Sequence, residues 1–272
     1  MLNNITMGQY YPVDSRVHRL DPRIKLILTI AFIVAVFLAH SFVGYVILAG
    51  FLFLSCRLAC VPFRLLLKGL KPLRMIIILT FLLNLFFTPG DDVWVSFWIV
   101  RITREAFLQA LFYSLRLVFL VAGTSLLTLT TSPIALSDGI ELLLTPLKKI
   151  HFPAHELAMM MTIALRFIPT LLEETDKIMK AQMARGADFE SGNLLSRARA
   201  MVPLLVPLFV SAFRRAGDLA LAMESRCYHG GEGRTRLRVL KITRSDWIAC
   251  GVLAVLLGLI ILEGIVLKGV LF

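Results

Sequence analysis

Two arginines are the residues of this sequence best suited to a specific contact with another protein. Arg185 and Arg226 lie 41 residues apart, and each follows a long stretch of helical periodicity. A guanidinium group at a rigid helix end can offer two parallel N–H donors to a carboxylate of a partner. The simpler interpretation is that a cation complements the dipole at a helix C-terminus, which is worth about 0.3–1 kcal/mol. Spacing alone leaves both interpretations open.

A third arginine, Arg116, lies within an apolar stretch that runs from Ala106 to Leu129. A charge deep in a membrane helix is costly, and such charges are commonly functional or paired. The alternative is an arginine that extends to the membrane surface or hydrogen-bonds to a neighbouring helix. The sequence identifies no partner, so Arg116 is retained as a possible intramembrane functional residue beside that structural alternative.

Motifs for chemistry on this chain itself are absent from the sequence. No GxxxxGK[ST] motif is present, so a nucleotide-binding P-loop is excluded. His151 and His155 are four residues apart, but Pro153 lies between them, and we interpret them as solvated or interfacial histidines. The apolar stretches contain no pair of carboxylates for acid–base catalysis, and the four cysteines include no CxxC pair. We therefore predict no catalytic residue, no metal site and no cofactor.

The elements that carry these residues are predicted to be membrane helices and amphipathic helices. Of the 272 residues, 58% are hydrophobic, and the mean hydropathy is +0.80. Long uncharged runs predict membrane spans at 24–39, 42–61, 72–88, 106–130 and 247–267. The number of spans around 72–104 stays open, because Val93 to Val100 alternates and contains aromatic residues typical of a membrane interface. The predicted fold is an all-α polytopic membrane protein.

The basic residues predict how the chain is oriented in the membrane. With the N-terminus inside, nearly all of the 29 Lys and Arg residues fall on cytoplasmic segments, as the positive-inside rule requires. The exceptions are Arg101, Arg104, Arg116 and Lys268. This arrangement places residues 131–245 in the cytoplasm of a cell that carries the protein in its inner or plasma membrane. It also explains the net charge of +11 without nucleic acid as a partner.

Two long helices are predicted in the segment from 131 to 245. The first extends from about Pro153 to Arg185, and apolar residues recur at spacings of three and four along it. Its other face is charged, so we expect it to be too charged to span a bilayer, with a kink at Pro169 and a left-handed cap at Gly186. The second helix extends from about Leu194 to Cys227. The predicted organisation is an N-terminal membrane region at 1–133 with about four spans, coupling helices at 134–245 and a membrane span at 246–272.

Motifs along nearly the whole chain resemble one known family. In order, they are Gly8-Gln9-Tyr10, Leu20-Asp21-Pro22-Arg23-Ile24-Lys25-Leu26, Leu126 to Pro133, Leu165-Arg166-Phe167-Ile168-Pro169, Ala184-Arg185-Gly186, Pro203 to Pro207 and Ala222 to Tyr228. Together they resemble the T component of energy-coupling factor (ECF) transporters. This transmembrane coupling subunit is called EcfT, and its cobalt-system members are called CbiQ.

The resemblance implies a non-catalytic subunit of an ATP-driven importer. In this family the T component joins two ABC-type ATPase subunits, EcfA, to a small substrate-binding membrane protein, the S component, and the cargo is a vitamin or a transition-metal ion. The coupling helices end in Ala-Arg-Gly motifs whose arginines dock into the ATPases. The corresponding residues here are Ala184, Arg185 and Gly186, followed by Ser225, Arg226 and Cys227.

The second motif departs from the family pattern, since Cys227 stands where the motif has glycine. Cysteine is a poor left-handed cap, so the second helix is expected to continue to Gly230 or Gly231. Two other classes of function are considered: a self-sufficient permease with its own substrate path, and a membrane-embedded enzyme. The scarcity of polar groups in the spans counts against the permease, and the missing acid–base pairs count against the enzyme.

Overall fold

The computed structural model describes residues 10–89, 93–97, 100–150, 152–189, 193–230 and 240–270. His151 and Gly231, both considered above, lie outside the described residues. Within these ranges the regular secondary structure is helical apart from two short antiparallel strands, β1 (Val93–Phe97) and β2 (Val100–Thr103). The helices are α1 (Pro22–Leu38), α2 (Phe42–Leu58), α3 (Phe63–Leu70), α4 (Arg74–Phe87), α5 (Arg104–Thr130), α6 (Pro133–Leu144), α7 (Ala154–Ala184), α8 (Leu194–Glu224) and α9 (Arg244–Val270).

Four helical stretches of the described chain are long and apolar enough to cross a membrane. They are Phe63–Phe87, Arg104–Thr130, Ala154–Ala184 and Arg244–Val266. A shorter apolar helix, Phe42–Leu58, accompanies them. These lengths and compositions confirm the prediction of an all-α polytopic membrane protein.

The span predicted at 24–39 falls on α1, whose 17 residues are not among these candidate stretches. Two further details differ from the sequence-based expectation. The span expected from residue 72 is part of a longer helical run that begins at Phe63. Pro72 does not start a separate helix, because it lies in a 3-10 turn, Lys71–Leu73, that connects α3 directly to α4. The second difference concerns α7, which was expected to be too charged for a bilayer. Its charges are concentrated in the second half, and its first half is apolar enough for a span, so composition does not exclude one there.

The described chain divides into two compact units, one of which comprises Gly8–Gly139 and Leu240–Phe272. In this unit α1, α2, α5 and α9 share one hydrophobic core. Phe32 of α1 is buried against Gly123 of α5, where a side chain would overlap the aromatic ring. Because they share this core, the helices α1 and α9 are neighbours, although more than 200 residues separate them in the sequence.

A buried polar joint holds the starts of α1 and α9 together. Asp246 lies in the first turn of α9 and is only 1% exposed. One carboxylate oxygen accepts the backbone N–H of Asp21 at 2.9 Å. The other accepts both the N–H and the hydroxyl of Thr243, each at 2.7 Å. These donors compensate the cost of burying a charged group.

The same joint extends through Asp21, Arg23 and Lys25. Asp21 caps α1 by accepting the N–H of Arg23 at 3.0 Å, and it pairs with the Arg23 guanidinium at 2.8 Å. Burial opposes ionisation, but the hydrogen bonds from Arg23 outweigh it and hold the pKa of Asp21 below its usual range. The Lys25 ammonium donates to the carbonyls of His18 at 3.0 Å and Thr130 at 2.9 Å. One turn of chain thus ties α1 to the end of α5 and the start of α9.

This joint predicts a strong effect of Asp246→Asn on stability. The amide keeps one acceptor but turns its NH₂ group toward an existing donor. We expect the free energy of unfolding to fall by about 1.5–3 kcal/mol, the range for hydrogen bonds to a charged group. The measurement is the midpoint of thermal unfolding in detergent. Asp218→Asn, at an exposed position of α8, is the control, and equal midpoints for the two variants would contradict the structural role of Asp246.

Candidate functional site

The second unit, centred on Ile140–Val239, contains the two longest helices of the described chain. Helices α7 and α8 have 31 residues each and pack against one another. At 1.5 Å per residue each is about 46 Å long. Pro169 lies inside α7, and Pro203 and Pro207 lie inside α8, yet neither helix is broken there. Both helix ends that carry the predicted arginines therefore belong to long, continuous rods.

A polar clamp joins the two rods. Glu174 of α7 accepts the hydroxyl of Ser211 at 2.5 Å and the guanidinium of Arg215 at 2.7 Å, both from α8. The side chain of Glu174 is 24% exposed and that of Arg215 is 43% exposed, so the ion pair is partly shielded from water. The sequence analysis did not single out this clamp. Local spacing carries no signal for it, because Glu174 and Arg215 lie 41 residues apart on separate helices.

Helix α7 ends in a Schellman motif at the first predicted site. Ala184 is its last residue, and Gly186 has a left-handed backbone with φ of 89°. The N–H of Gly186 donates to the carbonyl of Met183 at 3.0 Å, and that of Ala187 donates to Gln182 at 3.0 Å. The predicted left-handed cap at Gly186 is confirmed, and Arg185 is the residue immediately before it.

Helix α8 ends in the same way, which corrects an expectation. The helix stops at Glu224 and does not continue to Gly230, because Cys227 itself adopts the left-handed conformation with φ of 58°. The N–H of Cys227 donates to Glu224 at 2.9 Å, and that of Tyr228 donates to Met223 at 3.1 Å. These bonds reproduce the pattern at the end of α7. The hydrogen bonds of the cap compensate the strain that a side chain brings to this region.

The two arginines therefore occupy equivalent positions. Arg185 and Arg226 each precede the left-handed residue of a Schellman motif, and both side chains are exposed. Within the described part of the chain, neither guanidinium has a hydrogen-bond or ion-pair partner. Arg185 lies 11 positions after Glu174, and Arg226 lies 11 positions after Arg215, an offset that corresponds to about 16 Å of helix. Among its described residues the unit thus presents two unpaired guanidinium groups, each at the same offset along its helix from the clamp between Glu174 and Arg215.

Large apolar side chains cover much of the exposed surface of both helices. On α7 they include Met160, Met161, Ile168 and Met183; on α8 they include Met201, Val202, Leu205, Val206, Phe209, Val210, Phe213 and Leu221. Phe213, for example, is 74% exposed. Contiguous exposed apolar surface of this kind marks contact with another protein or with lipid. Methionine suits a surface that must fit more than one partner, because its side chain adapts its shape.

Arg116, in the other unit, has partners that the sequence did not reveal. Its guanidinium donates to the hydroxyl of Tyr45 at 3.3 Å and to the carbonyl of Ala39 at 3.5 Å. Three aromatic rings surround it at 5.2–5.7 Å, those of Phe37, Phe112 and Tyr113. These contacts stabilise a cation in a poorly hydrated site. The described geometry favours the structural alternative for this residue.

The remaining candidate groups do not assemble into a site in the described residues. His155 contacts the carboxylate of Glu141 at 3.0 Å. No group of three or more His, Cys, Asp or Glu side chains that could hold a metal ion occurs among the residues described here. The six predicted coupling residues fall at the two helix ends, three at each.

Comparison with known proteins finds similarity along most of the chain to one family. A family model described as "CbiQ: Cobalt transport protein" matches residues 14–237. An energy-coupling factor transporter transmembrane protein EcfT from Thermosediminibacter oceani is 58% identical over 257 residues, covering 93% of this chain and 97% of that protein. EcfT from Clostridium kluyveri is 56% identical over 250 residues, covering 92% and 93%. EcfT from Bacillus subtilis is 53% identical over 246 residues, covering 90% and 93%.

The cap of α8 predicts opposite tolerance to two substitutions of Cys227. A β-branched side chain is strongly disfavoured at positive φ, so Cys227→Val should destabilise the helix end by about 1–2 kcal/mol. Cys227→Gly should keep the cap, since glycine adopts this conformation freely. Amide hydrogen exchange around 224–228 measures the difference. Faster exchange in the glycine variant than in the valine variant would contradict the left-handed cap.

The surroundings of Arg116 predict a loss of stability in Arg116→Gln without loss of partner subunits. Removing the cation forfeits its contacts with the rings, worth about 1–2 kcal/mol in a desolvated site. The thermal midpoint of the purified protein should fall, while subunits bound to the wild-type chain should still co-purify below that midpoint. Lost partner binding at an unchanged midpoint would instead assign Arg116 a functional role.

Proposed function

The chain belongs to the CbiQ family, and on that basis we propose that it is the coupling subunit of an ECF-type importer. In this role it joins two ABC-type ATPase subunits to a small membrane-embedded S component. ATP hydrolysis takes place on the ATPases, and this chain is not itself an enzyme. The S component binds the cargo, which we propose to be a vitamin or a transition-metal ion.

The observation that carries the proposal is the equivalence of the two arginine-bearing helix ends. Ala184, Arg185 and Gly186 form one contact, and Ser225, Arg226 and Cys227 form the other. Two matched cationic forks suit two copies of one kind of partner, each offering carboxylates in a groove. A rigid clamp between the helices suits force transfer, because movement at one end is passed to the other helix through Glu174 and Arg215.

The apolar surface of α7 and α8 supports a second contact, with the S component. Its exposed methionine, leucine, valine and phenylalanine side chains offer a broad apolar platform, which suits a hydrophobic membrane partner. Closure of the ATPases would shift the two helices and tilt the S component on this platform. That tilt would open the binding site of the S component toward the cytoplasm.

The same proposal includes the orientation and organisation predicted from the charges. The N-terminus and residues 131–245 face the cytoplasm, where the ATPases are. The organisation is a membrane region at 1–133, coupling helices at 134–245 and a final span at 246–272. The concentration of basic residues on the segments proposed to be cytoplasmic supports this orientation.

The structure offers little support for an independent permease. A cavity of about 390 Å³ lies among α1, α2, α5 and α9, and most of its lining is apolar. Several of its polar side chains, such as Arg16, Lys25 and Thr130, lie near the helix ends that form the polar joint, and most of the other lining side chains are apolar. A hydrated substrate would lose its hydration there without compensation.

Affinity purification tests the partner assignment directly. The chain is purified from its native membranes in mild detergent, and the accompanying proteins are identified by mass spectrometry. We expect two P-loop ATPase subunits and a small hydrophobic protein. Substrate transport by the chain alone in proteoliposomes would contradict the coupling role.

A charge reversal at both tips tests the named residues. Arg185→Glu combined with Arg226→Glu should leave the chain inserted in the membrane while the ATPases are lost, because carboxylates would face carboxylates. Lys177→Glu combined with Arg214→Glu is the control, since it reverses one exposed cation on each helix away from the tips. Recovery of the ATPases with the tip variant at wild-type yield would refute the proposed contact.

A further inference from the structure

Four basic side chains border one groove at the start of the Phe63–Phe87 span. Arg64 and Lys68 belong to α3, Lys71 lies in the turn that follows, and Arg74 begins α4. The groove has a volume of about 470 Å³, and all four residues line it. Their spacings of four, three and three residues place them along one side of the helical run.

These cations have no negative partner within the described structure. The sequence contains no acidic residue between Asp21 and Asp91. All four side chains are exposed, and none has a hydrogen bond or ion pair with any residue that the structure describes. Like charges three and four residues apart repel one another. A ligand that supplies negative charge would therefore stabilise this end of the helix.

Packing against α5 fixes the direction in which Arg64 and Lys68 point. Leu66 is 2% exposed, and a side chain at Gly69 would lie 2.8 Å from the hydroxyl oxygen of Ser125 on α5. Residues 66 and 69 therefore form the packed face of α3. Arg64 and Lys68 are each about 160° around the helix from Leu66, which directs them away from the protein core.

The remaining side chains that line the groove are apolar. Leu67, Leu70, Ile77 and Ile78 complete its lining. Helix α4 then continues with no buried residue, and its exposed side chains include Met75 at 79%. The surface thus combines a concentrated positive charge with an adjoining apolar helix face. A soluble anion or an acidic peptide would use the charge alone, whereas a lipid would use both parts.

We propose that this groove binds an anionic phospholipid, with the headgroup phosphate among the four cations and an acyl chain along α4. Basic residues at the end of a span also help to orient a membrane protein. Orientation alone does not require all four to line the same open groove together with apolar side chains. Basic clusters beside membrane helices are suited to anionic headgroups, and each cation contributes about 1 kcal/mol near an anionic surface. The proposal does not depend on the coupling role.

Native mass spectrometry of the full-length chain tests the site. The detergent-solubilised protein is titrated with cardiolipin, phosphatidylglycerol or phosphatidylcholine. We expect the two anionic lipids to be preferred, and Arg64→Gln combined with Lys68→Gln to weaken their binding about 30-fold, the effect of two cations. Lys241→Gln combined with Arg244→Gln removes the same two residue types at exposed positions outside the groove, and it should leave the preference intact.

A second variant and a short-chain lipid separate the remaining explanations. Lys71→Gln combined with Arg74→Gln should reproduce the loss, which guards against misfolding of a single variant. Dihexanoyl phosphatidylglycerol should bind at least ten-fold more weakly than the long-chain lipid, because it buries less hydrocarbon. Equal weakening in the control variant, or equal binding of both chain lengths, would overturn the lipid site. So would unchanged lipid binding accompanied by loss of a protein subunit, which would assign the groove to an acidic protein.

Discussion

The buried hydrogen bonds of Asp246 are the constraint on which the membrane unit depends. Its carboxylate receives the backbone N–H of Asp21 across 225 residues of sequence. Because a buried carboxylate must be compensated, an arrangement that moved these donors away from Asp246 would be costly. Lys25 adds the end of α5 by donating to Thr130. These hydrogen bonds hold α1, α5 and α9 in one bundle. Apolar contacts alone would fix the relative positions of the three helices less specifically.

Helices α7 and α8, which we propose to be cytoplasmic, are likewise connected by a polar contact between otherwise largely apolar surfaces. Glu174 holds α8 through Ser211 and Arg215, and the two Schellman motifs end the rods at matching distances from that clamp. The apolar remainder of both helices stays exposed. This combination leaves the apolar surface exposed while Glu174 connects the helices that carry Arg185 and Arg226, which suits the proposed transmission of movement.

Sequence reasoning failed where local preference was overridden by hydrogen bonding. Cysteine disfavours positive φ, so the α8 end was expected to continue to Gly230, yet the capping bonds place Cys227 in the left-handed region. Arg116 had no visible partner because its contacts, Tyr45 and Ala39, come from a helix and a turn more than 70 residues away. Neither spacing nor composition reports contacts of that sequence separation.

The sequence by itself determined the membrane class, the two long helices, the cap at Gly186 and the arginines that end both rods. These features follow from hydropathy, from periodicity and from the backbone preferences of glycine and proline, all of which act over a few residues. The tertiary structure alone decided the joint at Asp246, the clamp at Glu174, the hydrogen bonds from Arg116 to Tyr45 and Ala39, and the groove lined by Arg64 and Lys68. Each requires groups from separate helices, or a packed face that fixes where side chains point, and local sequence carries no such distances.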